Sequence, residues 1–477
     1  MKPPRTLRRL PFALCMLCAL PAQPSQAAGG IDPAWRRLSP VQLRNGPAHV
    51  PARPAPQAAD NPGGALLDLP AAIALAVAWH PSIAEAVGNL YQQGEGINVA
   101  EAGYYPQVSG GVKAGVDSGY NGARGSRALS LSLKQMLYDF GKVRSGVDMA
   151  QAKAAQAQAN ILLAIGQVVR DTAYAFIEVC RYEQLLAIAR QQVSGIGGIV
   201  ALARQRSDLG ASTRSDVVQA QSRADGAQAL LQEYKAQLAR WQATLTSLLG
   251  RSYVPALNEA PSPRLEGACT PTAPAGDTQP AVLAALAQRS EARAQLNQAR
   301  AQAFPTLSLE PSVNHYLDND YDRDNPYIDR TQAGLYLNLE VPIYQGGATS
   351  ARTRAAGHAL AAADSAEDAA RLHARQGLAE AQAQTASLDL RLQSLQARQV
   401  SITEARGLYE RQYLDLGTRP LLDLLNAEQE IHQARFDLAN TLADQQRLRV
   451  DCLYERGALR RAMGLEGLAV QGVEILP

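Results

Sequence analysis

Two stretches of this chain, residues 141–209 and 346–416, run for about seventy residues without proline. Both are dense in Ala, Gln, Arg, Leu and Glu, which are good helix formers. At 1.5 Å per residue each predicts a helix of roughly 100 Å. A helix of that length without internal caps cannot bury itself alone and points to a coiled coil. Each stretch ends in a similar corner: "DLGASTRSDVVQAQ" from Asp208 and "DLGTRPLLDLLNAEQ" from Asp415. Gly210 and Gly417 supply helix stops, where positive φ costs least. Ser212 or Thr213, and Thr418 with Pro420, start the returning helices.

The corner occurs twice because the chain is an internal twofold repeat, with halves at 66–250 and 279–463. In each half an Ala-rich helix (71–102, 279–303) ends at an aromatic-Pro pair, Tyr105-Pro106 or Phe304-Pro305. Two strand-like segments follow, then the long helix from "YDFGKVRSG" or "YQGGATSAR", the corner and a returning helix. The expected partners of the first long helix are 212–249 and 279–303. Those of the second are 71–102 and 420–463.

The short segments carry a different period. Leu129, Leu131 and Leu133 alternate with Ser130, Ser132 and Lys134. Leu335, Leu337, Leu339 and Val341 alternate with Tyr336, Asn338 and Glu340. Period two gives a strand one apolar and one polar face, and about ten residues suffice to cross a bilayer as a tilted strand. Hairpins are expected at 107–137 and 306–342. Aromatics mark their junctions with the helices (Tyr104, Tyr105, Tyr138, Phe140, Phe304, Tyr344) and their tips (Tyr120, Tyr316, Tyr321, Tyr327), as at a membrane girdle. A soluble hairpin pair with one buried face fits the strands alone equally well. Four strands cannot close a membrane barrel, and an open edge in lipid leaves backbone groups unpaired. Two copies would supply eight strands around a packed interior. Three would supply twelve around a lumen.

Residues 1–27 read as a signal peptide: Lys2, Arg5, Arg8 and Arg9, a short apolar core, then Ser25-Gln26-Ala27. Cys15 and Cys18 lack the preceding small residue of a lipid-anchored N-terminus. Removing those four cations takes the formal charge from +2 to −2, which argues against a nucleic-acid partner. Residues 28–65 read as a Pro/Ala-rich extended segment, 251–278 as a proline-rich linker and 464–477 as a C-terminal tail. Cys180, Cys269 and Cys452 are odd in number and sparse, and no disulfide framework is expected. No eighteen-residue uninterrupted apolar run follows the leader.

Catalytic and cofactor signals are weak. Asp318, Asp320, Asp322 and Asp329 imitate a calcium loop, but Arg323 stands where such a loop needs Gly. Glu428 and His432, four apart, could edge a metal site but suggest no third ligand, and surface packing is the expected reading. No Ser-His-Asp order, phosphate-cradling loop or paired-cysteine motif is present. The expectation is no enzyme activity, no cofactor and no metal.

The repeat, the four strands, the long helices and the corner Leu416-Gly417-Thr418-Arg419 with Asp423 together resemble the TolC family of outer-membrane factors. The likeness covers 66–463. It implies a mainly α fold with a small β part: a long coiled-coil α-barrel in the periplasm and a 12-stranded transmembrane β-barrel shared by a homotrimer. It implies work with a periplasmic adaptor and an inner-membrane ATP-binding cassette transporter. At the periplasmic mouth, Asp216 and Asp423 match the family's corner aspartates and Arg419 its bridging arginine. Asn426 stands where a second ring Asp can occur. Leu414 stands where a Tyr can occur, with Tyr413 one residue off. From helix physics alone Asp216 and Asp423 are first-turn acids favoured by the helix dipole. The early sequence also resembles the type I secretion branch that exports repeat-in-toxin proteins such as an adenylate cyclase-haemolysin; small-molecule efflux is the alternative. A periplasmic adaptor would carry one helical hairpin and compact β-domains, and a surface filament would not need aromatic-flanked polar strand faces.

Overall fold

The computed structural model describes residues 66–119, 122–253, 255–270, 278–317, 329–467, 469–471 and 473–474. The leader, the segment 28–65, Tyr120, Tyr321, Tyr327 and most of the calcium-like loop lie outside the described residues. The chain divides into a unit Met1–Arg37, outside the described residues, and a unit Leu38–Pro477 to which everything below belongs.

The helices are α1 (Leu69–Trp79), α2 (Pro81–Glu101), α3 (Lys142–Asp208), α4 (Arg214–Leu249), α5 (Pro280–Ala301), α6 (Ala348–Leu414), α7 (Leu421–Glu455) and α8 (Leu459–Ala462). The two long ones have the same length, 67 residues. The helix expected over 71–102 is two helices bent by 47°. Pro81 has no N–H to continue the ladder, and it pushes the residue before it out of the helical region. His80 sits there at ψ 130°, and its ring accepts from the Ser82 amide to cap α2.

One helix is central. Its Ile161, Ile165, Val168, Val169, Phe176 and Val179 are all buried in a cluster that also takes in α1, α2, the end of α4, the linker and the end of α7. α3 therefore packs against α4 and α5 as expected, and also against α2 and α7. The expected pairing of 71–102 with the second long helix is not found within the protomer: α6 packs on α7 and α5. The cause is composition. α3 has branched apolar residues all round, including a window of mean hydropathy 1.4. α6 buries chiefly Ala363, Ala374, Leu378, Ala381, Leu392 and Leu395 and leaves Leu372, Leu390 and Val400 exposed.

The sequence expectation on cysteines is corrected. Cys269 and Cys452 form a disulfide with Cα atoms 5.3 Å apart. The linker wraps onto the central cluster through Leu257, Leu265 and Ala268, which brings Cys269 against the end of α7. A pairing across 183 residues leaves no mark in local spacing. The tail also joins this cluster through Leu465 and Val470, the latter in a short hairpin of β5 (Ala469–Val470) and β6 (Val473–Glu474).

The strands β1 (Gln107–Gly119), β2 (Gly122–Tyr138), β3 (Thr306–Tyr316) and β4 (Thr331–Glu340) form one antiparallel sheet in sequence order. The register puts Val108, Val112, Leu129, Leu131, Leu133, Leu309, Val313, Leu335, Leu337 and Leu339 on one face. The other face carries Ser109, Ser132, Lys134, Ser308, Glu310 and Asn338. There Lys134 pairs with Glu310 at 3.1 Å, and Ser109 and Ser132 bond at 2.7 Å. The apolar face is not covered: Leu131, Leu335, Leu337 and Leu339 are all more than half exposed. That removes the soluble alternative, which required this face to be buried. Phe140 stacks on Phe304 and touches Tyr138 edge-on, so the junction aromatics of both halves meet in one exposed belt. The turn into α3 is held by Asp139, whose carboxylate accepts from the amides of Gly141 and Val143.

Candidate functional site at the two helix corners

The first corner closes through its own backbone. Gly210 adopts φ +73°, which lets its amide reach the Ser207 carbonyl and the Ala211 amide the Arg206 carbonyl. These bonds satisfy carbonyls that the end of α3 would leave orphaned. Thr213 then starts α4 with a full capping box. Its hydroxyl accepts from the Asp216 amide, while Asp216 accepts from the Thr213 amide at 3.1 Å and the Ser212 hydroxyl at 2.7 Å. These bonds, led by Ser212, hold the Asp216 carboxyl below the usual Asp range.

The second corner has the same turn and different chemistry. Gly417 adopts φ +60°, and the Thr418 amide reaches the Gln412 carbonyl. Pro420 precedes α7 and offers no side-chain cap. Arg419 spans the gap instead. It donates to Gln412 at 2.9 Å and to Asp423 at 2.8 Å, and its guanidinium lies 4.4 Å from the centre of the Tyr409 ring.

Of the residues singled out in the sequence, the structure brings Arg419 and Asp423 together. Asp216 is engaged by its own cap. Asn426 is exposed one turn beyond Asp423, and Leu414 is 44 % exposed. Its neighbour Tyr413 is buried instead, in an apolar cluster with Ile196, Ile199 and Val200 of α3 and Leu421, Leu424 and Leu425 of α7.

Several site residues had no sequence signal. Arg206 of the first hairpin donates to the Tyr413 carbonyl at 3.0 Å and lies over its ring at 4.7 Å, so it ties the two corners together. It heads a ladder of polar contacts along antiparallel α3 and α7: Gln191 with Arg435, Arg181 with Asp444, Glu178 with Arg447 and Tyr174 with Asp451. The α4 side of this seam encloses a groove of about 1080 Å³ bordered by Arg214, Arg223, Gln429 and Phe436. Glu428 and His432, expected as surface packing, are buried at 5 % and 3 % exposure. Arg406 makes their burial tolerable by pairing with Glu428. Among the described residues no group of three His, Cys, Asp or Glu side chains could hold a metal.

The comparisons with known proteins agree with this architecture. The family model described as "Outer membrane efflux protein" matches residues 72–251 and again 275–453. Outer membrane efflux protein BepC of Brucella suis is 26 % identical over 354 residues, 71 % of this chain and 74 % of BepC. Protein CyaE of Bordetella pertussis is 27 % identical over 372 residues, 74 % and 76 % of the two chains. Alkaline protease secretion protein AprF of Pseudomonas aeruginosa is 26 % identical over 332 residues, 66 % of each. Among solved structures, the outer membrane protein VceC of Vibrio cholerae superposes with a TM-score of 0.72 at 19 % identity, over 82 % of this chain and 96 % of VceC. That likeness establishes the fold. TolC-like factors act as trimers with an adaptor and an inner-membrane transporter, and they are channels, not enzymes. A duplicated helical hairpin, a sheet that keeps its apolar face outward and a family match covering both halves lead to one assignment: the chain belongs to the outer membrane efflux protein family, as a TolC-like outer-membrane channel whose helical tunnel lies in the periplasm.

Proposed function

We propose that this chain forms a homotrimeric channel-tunnel of a tripartite type I secretion system and passes a protein, of the repeat-in-toxin class, across the outer membrane. The observation that carries the channel is the sheet. It has four strands, an apolar face in the open and two edges, β1 and β4, without a strand partner among the described residues. Lipid tolerates no such edge, so the edges must meet those of identical copies. Three copies give twelve strands and a lumen lined by the Lys134 and Glu310 face. The partners are a periplasmic adaptor and an inner-membrane ATP-binding cassette transporter.

The similarity to CyaE and to AprF, the latter named for protease secretion, favours protein cargo. The similarity to BepC, named for efflux, supports small-molecule export as the second reading. In the gate, Asp423 and Asp216 present carboxylates at the first turns of α7 and α4, Arg419 restrains Asp423, and Gly210 and Gly417 make the corners. Asn426 occupies a position where a further carboxylate would add charge to the mouth.

Outer-membrane fractionation with heat-dependent gel mobility, then planar-bilayer conductance, tests the assembly. A conducting trimer is expected; a water-soluble, non-conducting monomer would end the proposal. Export assays with a repeat-in-toxin substrate and with small dyes in a deletion strain separate the two cargoes.

A further inference from the structure

Glu428 lies on α7 about two helical turns beyond the corner. A buried carboxylate is costly unless paired, and this one is paired on both oxygens. Arg406 Nε donates to Oε2 at 2.9 Å, and His432 Nε2 lies 3.2 Å from Oε1. Arg406 is braced in turn by Glu410 at 2.6 Å. All four side chains belong to the second hairpin, α6 and α7.

The carboxylate itself is pushed into the first hairpin. A Cβ added to Gly195 of α3 would lie 2.1 Å from Glu428 Oε1 and 3.0 Å from its Cδ, and the three nearest atoms would all be Glu428 atoms. Glycine inside a helix costs about 0.5–1 kcal/mol relative to alanine. Gly197 and Gly198 have nothing within 4 Å of such a Cβ. Of these three glycines, Gly195 is the one whose missing side chain is filled by a neighbour. The arrangement is a knob in a hole, with a charged knob.

We infer that Glu428 is a positioning residue of the gate: a polar pin from the second hairpin, seated in a Gly195 socket on the first and aimed by Arg406 and His432. The inference rests on the export-channel reading. A packed apolar side chain would hold the helices as well or better. It would also let them slide, because apolar contacts are non-directional. A pin with both oxygens bonded has one seat. Displaced by a turn along α3, it would meet the buried side chain of Gln192 or of Ile199, where Gly195 now leaves space. The seam between the hairpins therefore has a discrete stop, and a mouth that widens by moving the second hairpin must unseat it.

The test compares the intact protein with Gly195→Ala, Glu428→Ala, Glu428→Gln and the double variant Gly195→Ala/Glu428→Ala. In planar bilayers Gly195→Ala and Glu428→Ala are each expected to raise open-state occupancy about ten-fold, the scale of one buried charge-assisted hydrogen bond. The double variant should rise no further than Glu428→Ala, because the added methyl then meets no pin. Glu428→Gln keeps the shape and should change least. A second measurement needs no conduction: pulsed-EPR distances between labels at Leu209→Cys and Leu416→Cys, both exposed positions, in a Cys180→Ala background. Gly195→Ala should lengthen or broaden them. Unchanged occupancy and unchanged distances, or additive effects in the double variant, would overturn the pin. A non-conducting intact protein would defeat the channel reading, while the distances would still decide the pin.

Discussion

The two corners begin from the same Leu-Gly turn and are held by different means. At the first, backbone closure and the Thr213/Asp216 capping box use atoms within a few residues of one another. At the second, Pro420 cannot supply a cap, and Arg419 reaches back to Gln412 and forward to Asp423 across the surface of Tyr409. A local cap cannot be released without fraying a helix. A long cation can let go by rotating its side chain. In the proposed gate this difference would leave the first hairpin stiff and the second free to release, in keeping with the settings of α3 and α6: one is central, the other largely exposed.

That contrast supposes that the halves are fixed to each other away from the corners. The disulfide supports this, since it joins the linker between the halves to the far end of α7. Cys269→Ser with Cys452→Ser opens a cross-link spanning 183 residues and should lower stability by on the order of 4 kcal/mol. The reading is a fall in the guanidinium midpoint. An unchanged midpoint would mean that packing of Leu257, Leu265 and Ala268 alone seats the linker.

A sharper cut compares the corners directly. Arg419→Ala removes the links to Gln412 and Asp423 and the Tyr409 stack. It is expected to raise open-state occupancy about ten-fold with little effect on the unfolding midpoint. Thr213→Ala should do the reverse: it loses an N-cap worth about 1 kcal/mol and leaves occupancy unchanged. Single-channel recording and denaturation of the same two variants decide it. Equal effects on occupancy would abolish the distinction between the corners.

What could be read in advance divides along the same line. The first corner was legible because capping is local: Thr213 and Asp216 are three residues apart, and Gly210 announces its own φ. The sheet was legible because Leu129, Leu131 and Leu133 alternate whatever surrounds them. Arg206 on Tyr413, Glu428 in Gly195 and Cys269 on Cys452 were not legible. Each joins residues brought together by antiparallel helices or by the path of the linker, and no local pattern encodes that register. The four-residue spacing of Glu428 and His432 is visible in the sequence but their burial is not, because burial of a carboxylate depends on Arg406, which belongs to another helix.

The smallest expected effect concerns acid. The Asp216 carboxyl is held below its ordinary value of 3.8, chiefly by the Ser212 hydroxyl. A depressed carboxyl contributes stability that is present above the unfolded value and lost as pH falls through the lower folded one. The start of α4 should therefore stay protected as pH drops to about 4 and fray below that. Ser212→Ala removes the largest cause of the shift and should move this fraying to higher pH. Amide exchange at Val217 and Val218 would report it, with the first turn of α7 as the control, since no Ser or Thr hydroxyl caps that turn. Equal movement at both helix starts would show that acid loosens the mouth as a whole, and the local cap at the first corner would no longer explain its stiffness.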